Sequence, residues 1–254
     1  MQTIYPANSI TYSISDVVGD DPSTIGSGPT TPDPTTCHDV LQILKKFDVA
    51  VPNEVTEMLM TGELETPKPG NPIFKHARTK VIARPITAIT ASAQLANSRN
   101  CEAIIIGDSI AGDSNLAAKY HADVVRQKMK EYSDYNTFVL LSGGETTVTV
   151  TGNGRGGPNT QFALALAIEL QEETSIYAIA CDTDGIDGTE TNAGAVIDPT
   201  TLSRAKDAGL DPHQYLANND SYGFFSLLGD LVETGPTLTN INDFRAILVN
   251  VNPN

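Results

Sequence analysis

The stretch FVLLSGGETTVTVTGNGRGGPNTQFALALAIEL, from Phe138 to Leu170, sets the fold class. Phe138–Leu141 reads as a short apolar strand ending at Ser142-Gly143-Gly144, and Thr146–Thr151 alternates like a half-exposed antiparallel strand. A Gly-rich loop follows, from Gly152 to Gly157. Phe162–Leu170 is apolar almost all round and predicts a central helix. Ile176–Ala180 is the next strand and runs into Cys181-Asp182. Strand, helix and strand at this spacing mean an α/β protein.

The same alternation extends outward. Upstream, Lys80–Ala83 predicts a strand, Ile86–Asn97 a helix, Ala103–Ile106 a buried strand ending in Gly107-Asp108, and Asn115–Met129 a helix. Ile247–Val251 predicts the last strand. Near the start, Ile10, Tyr12 and Ile14 alternate into Ser15-Asp16, followed by the loop GDDPSTIGSGPTTPDPTT (Gly19–Thr36). Thr36 then caps a helix with the apolar face Val40, Ile43, Leu44 and Phe47. A second helix starts at Pro52, turns Val55, Met58 and Leu59 inward and stops at Gly62. Four strands end in Asp16, Asp108, Ser142 and Asp182. Ligands bind along that edge of open α/β sheets, although turns favour the same residues; as a set they favour convergence. A boundary near Asp134–Asn136 divides the chain into 1–135 and 136–254.

Composition narrows the function classes. The net charge is −15, which argues against nucleic acid or an anionic membrane as partner. Cys37, Cys101 and Cys181 are too scattered for a disulfide framework or a CxxC metal site. No run reaches the roughly 18 apolar residues of a membrane span, and Met1–Ala7 lacks the features of a signal peptide, so the expected compartment is the cytoplasm. No histidine lies in a hydrolase-like motif, and His121 reads as a surface residue.

The Gly-rich loop lets backbone N–H groups approach an anion, with the following helix N-terminus adding positive potential. Arg155 within it offers a fork for carboxylate or phosphate. Gly152, Gly154 and Gly157 also match GxGxxG, with Asp182 where a ribose-binding acid would lie, which keeps a nicotinamide-dependent oxidoreductase in view. Against that, the preceding Thr/Val alternation does not suit a central Rossmann strand. DTDGIDG (Asp182–Gly188) holds three carboxylates that could bind Mg²⁺ or position a hydroxyl, or form simple Asp/Gly turns. Asn218–Tyr222 reads as a helix cap. Thr234–Asp243 is rich in hydroxyls and amides, and suits a polar ligand or a capped turn equally.

Taken together, the blocks Ser15–Thr36, Glu65–Gly70, Leu141–Asn159, Asp182–Gly188, Asn218–Tyr222 and Thr234–Arg245 resemble the type-2 glycerate kinase family with its C-terminal MOFRL domain. The resemblance implies an incomplete Rossmann-like N-terminal portion followed by a MOFRL α/β domain with a mixed sheet. It implies transfer of the ATP γ-phosphoryl group to D-glycerate, giving 2-phosphoglycerate, with ATP and Mg²⁺ as cofactors. Carried over, Arg155, Asp184 and Asp187 are the catalytic candidates, and Asp184 and Asp187 also the metal candidates. Ser142, Gly143, Gly144, Glu145, Gly154, Gly156, Asn159, Asp16, Asp20, Ser27, Thr237 and Asn240 are the substrate and nucleotide candidates. Many members have Arg-Asn-Gln-Glu where this chain has Pro158-Asn159-Thr160-Gln161. The match also begins inside the family's N-terminal domain, so a glycine-lysine motif implicated in catalysis is missing. The chain is therefore expected to act as a fragment, to meet a separate N-terminal chain, to self-associate, or to be a non-catalytic binding remnant.

Overall fold

A computed structural model describes residues 1–132, 137–171 and 173–251. The described residues form two compact units, Met1–Ile82 and Ala83–Asn254. The boundary expected at Asp134–Asn136 lies outside the described residues. Strands on either side of that segment belong to one sheet of the second unit.

In the first unit, β1 (Ser9–Ile14) and β2 (Ala77–Ala83) form a two-stranded sheet. Between them lie α1 (Cys37–Lys46) and α2 (Asn53–Thr61). Thr36 caps α1 through a reciprocal capping box with Asp39, and Gly62 closes α2 in the left-handed conformation. Leu59 is buried and Val55 and Met58 are half-buried, as the sequence pattern requires. The face expected on α1 behaves differently: Val40, Ile43 and Phe47 are exposed.

The second unit is a six-stranded mixed sheet in the order β3-β4-β8-β5-β6-β7. Its strands are β3 (Glu102–Asp113), β4 (Thr137–Thr147), β5 (Ile176–Asp182), β6 (Gly194–Ile197), β7 (Leu231–Val232) and β8 (Asp243–Asn250). β3 and β4 pair parallel, and the other neighbouring strands of this sheet pair antiparallel. The helices are α3 (Pro85–Ser98), α4 (Ser114–Glu131), α5 (Pro158–Glu169), α6 (Thr201–Asp207), α7 (Pro212–Ala217) and α8 (Ser221–Leu228).

Period-two alternation sorts β4 and β8 between two faces. Phe138 and Leu140, with Ile247 and Val249, join the main core made with α4 and α5, while Val139 and Leu141 pack with Ile89 and Ala93 of α3. α5 is buried from Asn159 to Ala167, as its all-round apolar sequence requires. β4 runs unbroken through Ser142-Gly143-Gly144 to Thr147, correcting the expected stop and second strand. Gly144 makes this possible: its φ is +132°, and an added Cβ would lie 2.2 Å from the backbone oxygen of Ile110 on β3. Val148–Thr151 forms no strand.

Candidate functional site

The main-core face of the sheet turns polar toward the end of β4. On β8 the inward phase continues from Val249 and Ile247 to Arg245 and Asp243, and Arg245 sits opposite Ser142 and Ala180. Arg245 is 0% exposed. Its guanidinium pairs with Asp243, donates to Thr146 Oγ1 (2.9 Å) and lies 4.9 Å from the centre of the Phe162 ring. Burial pulls its pKa below the ordinary arginine value, and the Asp243 charge opposes that. Asp243 also accepts from the Thr146 N–H (3.1 Å) and from Asn159 Nδ2 (2.6 Å).

His121 belongs to this interior, which corrects the surface reading. It is 1% exposed; Nδ1 lies 2.7 Å from the Ala117 carbonyl and Nε2 2.8 Å from Ser142 Oγ. Nδ1 must carry the proton it gives that carbonyl, so Nε2 accepts from the serine hydroxyl. Burial lowers its pKa to about 4, and the Arg245 charge acts the same way. Ser142, proposed as a ligand contact, is thus a buried partner of His121. Gly143 and Gly144 lie inside a strand flanked on both sides, so they do not form an anion-cradling loop.

Asp187 is 1% exposed. Its carboxylate accepts from the N–H groups of Asn159 (2.9 Å) and Thr160 (2.8 Å) and from Thr160 Oγ1 (2.8 Å). It therefore neutralises the N-terminus of α5 from within. Burial raises its pKa while those three donors oppose the rise. Asp184 Oδ1 accepts from the Ile186 N–H (2.7 Å), and Asp182 Oδ1 from the Asp184 N–H (2.9 Å). Burial raises Asp182 to about 7, with Asp184 and Asp243 adding like-charge repulsion. Among the described residues no three His, Cys, Asp or Glu side chains gather as a metal cage.

The motif blocks of this unit do converge. The Gly-rich loop lies along Asn218–Tyr222: the Gly152 N–H donates to Asn219 Oδ1 (2.9 Å), Gly154 to the Asn218 carbonyl (2.9 Å) and Arg155 to Asp220 Oδ1 (3.1 Å). A Cβ on Gly152 or Gly154 would fall 2.2 Å from Asn218 O or 2.3 Å from Asp220 Cβ. These glycines serve close approach between two chain segments. The turn at Asp182–Gly188 is stitched to the last block, with the Thr237 N–H donating to the Asp184 carbonyl (2.8 Å) and Thr237 Oγ1 to the Thr183 carbonyl (2.6 Å). Asn240 Oδ1 accepts from the Asn242 N–H (2.7 Å), so both residues hold the turn in place.

Arg155 stands at the surface. Its side chain is 61% exposed, 3.5 Å from Glu190 and 4.8 Å from the centre of the Tyr222 ring. Nearby, Thr146, Val148, Gly154, Gly156, Pro158 and Gln161 help line a hollow of about 320 Å³. Glu145 is exposed at the end of β4. In the first unit, Asp16 is exposed just after β1, and Asp20 and Ser27 adopt positive φ in the Pro-rich loop. Ser27 lines a separate hollow of about 460 Å³ with Asp21, Ser23 and Asp33.

The MOFRL family model matches residues 138–243, and the domain of unknown function DUF4147 matches 1–60. A D-glycerate 2-kinase of Thermotoga maritima is 35% identical over 243 residues, covering 95% of this chain and 57% of that protein. The crystal structure of a Thermotoga maritima glycerate kinase superposes with a TM-score of 0.86 at 34% identity, covering 98% of this chain and 58% of the other. The chain belongs to the glycerate kinase family. A protein of Agrobacterium vitis named "Putative hydroxypyruvate reductase" is 43% identical over 247 residues, covering 96% of this chain and 56% of its own length. The chain therefore spans a little over half the length of these relatives.

Sequence reasoning missed His121, Thr146, Asp243 and Arg245. The signal was present for the last two: Asp243-Arg245-Ile247-Val249 share one phase of a strand.

Proposed function

We propose that this chain supplies one side of a glycerate kinase site, at which the γ-phosphoryl group of ATP passes to D-glycerate to give 2-phosphoglycerate. The observation that carries this reading is Arg155. Its loop is pinned along Asn218–Tyr222, its backbone is spent on Asp220 and Tyr222, and its side chain stays 61% exposed, 3.5 Å from Glu190, while the neighbouring Gly154 and Gly156 line the 320 Å³ hollow. A cation held in this way suits the carboxylate of glycerate or a phosphate. Phosphoryl transfer asks mainly for such positioning and charge neutralisation.

The residues support only part of the expected magnesium set. Asp187 does not fit, because its carboxylate is buried and engaged by donors of Asn159 and Thr160. Asp184, beside Asp182, is the carboxylate left for a nucleotide-bound cation, so Mg²⁺ would be held largely by phosphate oxygens and water.

The reductase name of the Agrobacterium relative revives the dinucleotide reading of Gly152–Gly157. The local geometry opposes it. A dinucleotide pyrophosphate would need the α5 N-terminus, and Asp187 already occupies it with negative charge. The test is a coupled assay for ADP release with D-glycerate, ATP and Mg²⁺, run alone and with the remaining region of the relatives supplied. Phosphate transfer lost in Arg155→Ala is expected. Transfer unaffected by that change, or NAD(P)H-dependent reduction of hydroxypyruvate in its place, would overturn the reading.

A further inference from the structure

One buried carboxylate, that of Asp243, holds both ends of the loop that carries Arg155. The loop covers residues 148–157, between the end of β4 and the start of α5. The pairing of β4 with β8 stops at Gly144, opposite Asp243. Two residues further on, the Thr146 N–H donates to the Asp243 carboxylate through Oδ2 (3.1 Å). Beyond the loop, on the first turn of α5, Asn159 Nδ2 donates to the other oxygen, Oδ1 (2.6 Å). Arg245 fixes the carboxylate between them: its guanidinium pairs with Oδ2 and donates to Thr146 Oγ1 (2.9 Å).

Stability alone does not account for this pair. Asp243 and Arg245 occupy the inward phase that Ile247 and Val249 fill with apolar side chains. Arg245 is wholly buried, and among the described residues its Nε and Nη1 have no hydrogen-bond partner. Burying two charges is costly, and apolar side chains of similar volume often serve a core at least as well. What they cannot do is accept from two chain segments at once. We infer that Asp243 is a positioning residue for Arg155, with Arg245 orienting its carboxylate, so that one group sets the span at the base of the loop. Thr146 and Pro158, at the two ends, also line the 320 Å³ hollow, so the hollow and the loop are set together. The inference rests on the proposed role of Arg155, but its first readout needs no catalysis.

Two variants of the chain test it. Asp243→Asn keeps the shape but leaves one acceptor oxygen for two donors, which frees one end of the loop. Asp243→Leu with Arg245→Met removes both charges together and so leaves no unpaired buried ion. Amide exchange is followed at Gly152, Gly154 and Arg155, whose N–H groups bond to Asn219, Asn218 and Asp220, and at Val125 and Ile247 in the core. The three loop amides should exchange at least tenfold faster in both variants. In the double variant the core amides and the urea midpoint should stay as in the parent. In the coupled assay, with the remaining region of the relatives supplied, kcat/KM should fall at least tenfold in that stable variant. Parent-like exchange at the loop would overturn the inference, as would an unchanged kcat/KM. So would a double variant with a lowered midpoint and exchange raised evenly through loop and core, which would make the pair a support for the core alone. If the unaltered assembly released no ADP, the proposed function would fall, and loop exchange would still decide whether Asp243 holds the loop.

Discussion

Replacing Asp187 by alanine separates a structural carboxylate from a catalytic one. The substitution removes the acceptor of two backbone N–H groups at the buried start of α5. Each buried donor left unpaired costs about 1–3 kcal/mol, and loss of the charge at the helix N-terminus adds about 0.3–2 kcal/mol. Thr160 Oγ1 need not be counted, because it also lies 3.2 Å from the Gly157 carbonyl and can turn to it. Against these losses stands relief of the burial that pushes the Asp187 pKa upward. The balance is a destabilisation of about 3 kcal/mol. Asp187→Asn keeps one acceptor oxygen and should cost about half as much. Urea denaturation followed by circular dichroism measures this, through a shifted midpoint at constant slope. Amide exchange along α5 should accelerate in parallel. An alanine variant as stable as the parent but inactive in phosphate transfer would refute the reasoning and return Asp187 to the chemistry.

His121 should make the second unit acid-sensitive. Its folded pKa is depressed to about 4 from 6.5, so its contribution is present above pH 6.5 and is lost as pH falls toward 4. This amounts to roughly 3 kcal/mol and should vanish in His121→Gln, as urea midpoints at pH 4.5 and 7 would show. Asp182 acts with the opposite sign. Raised to about 7, it favours the folded state below pH 3.8 and loses that contribution as pH rises through 7. Because it is only half-buried, Asp182→Asn should gain just about 1–2 kcal/mol at pH 8, again read from urea midpoints. Gly154→Ala would place a Cβ 2.3 Å from Asp220 Cβ; a loss of about 1–3 kcal/mol is expected, with faster exchange at the Arg155 amide.

Much of the architecture was legible from residue type and period alone. The all-round apolar run from Phe162 predicted a buried α5, Thr36 predicted the start of α1, and Gly62 the end of α2. Each of these is a local property, decided within one turn of chain. By pattern alone the strand at Phe138 stops at Ser142-Gly143-Gly144, because glycines favour turns. Here Gly144 instead admits the backbone of β3, a fact set by a partner thirty-four residues upstream. The site divides in the same way. Its motif blocks were visible in the sequence, as was the cation Arg155. Which carboxylate does what was not: Asp184 and Asp187 sit in one short motif, yet only Asp187 is driven into the interior and onto α5. Likewise His121 offers no local signal, because its partner Ser142 reaches it only once α4 lies across β4. Sequence determined the elements and the family, since both depend on short-range pattern. Tertiary structure decided which polar groups are buried and spent and which, like Arg155, stay at the surface, because burial depends on what distant segments bring alongside.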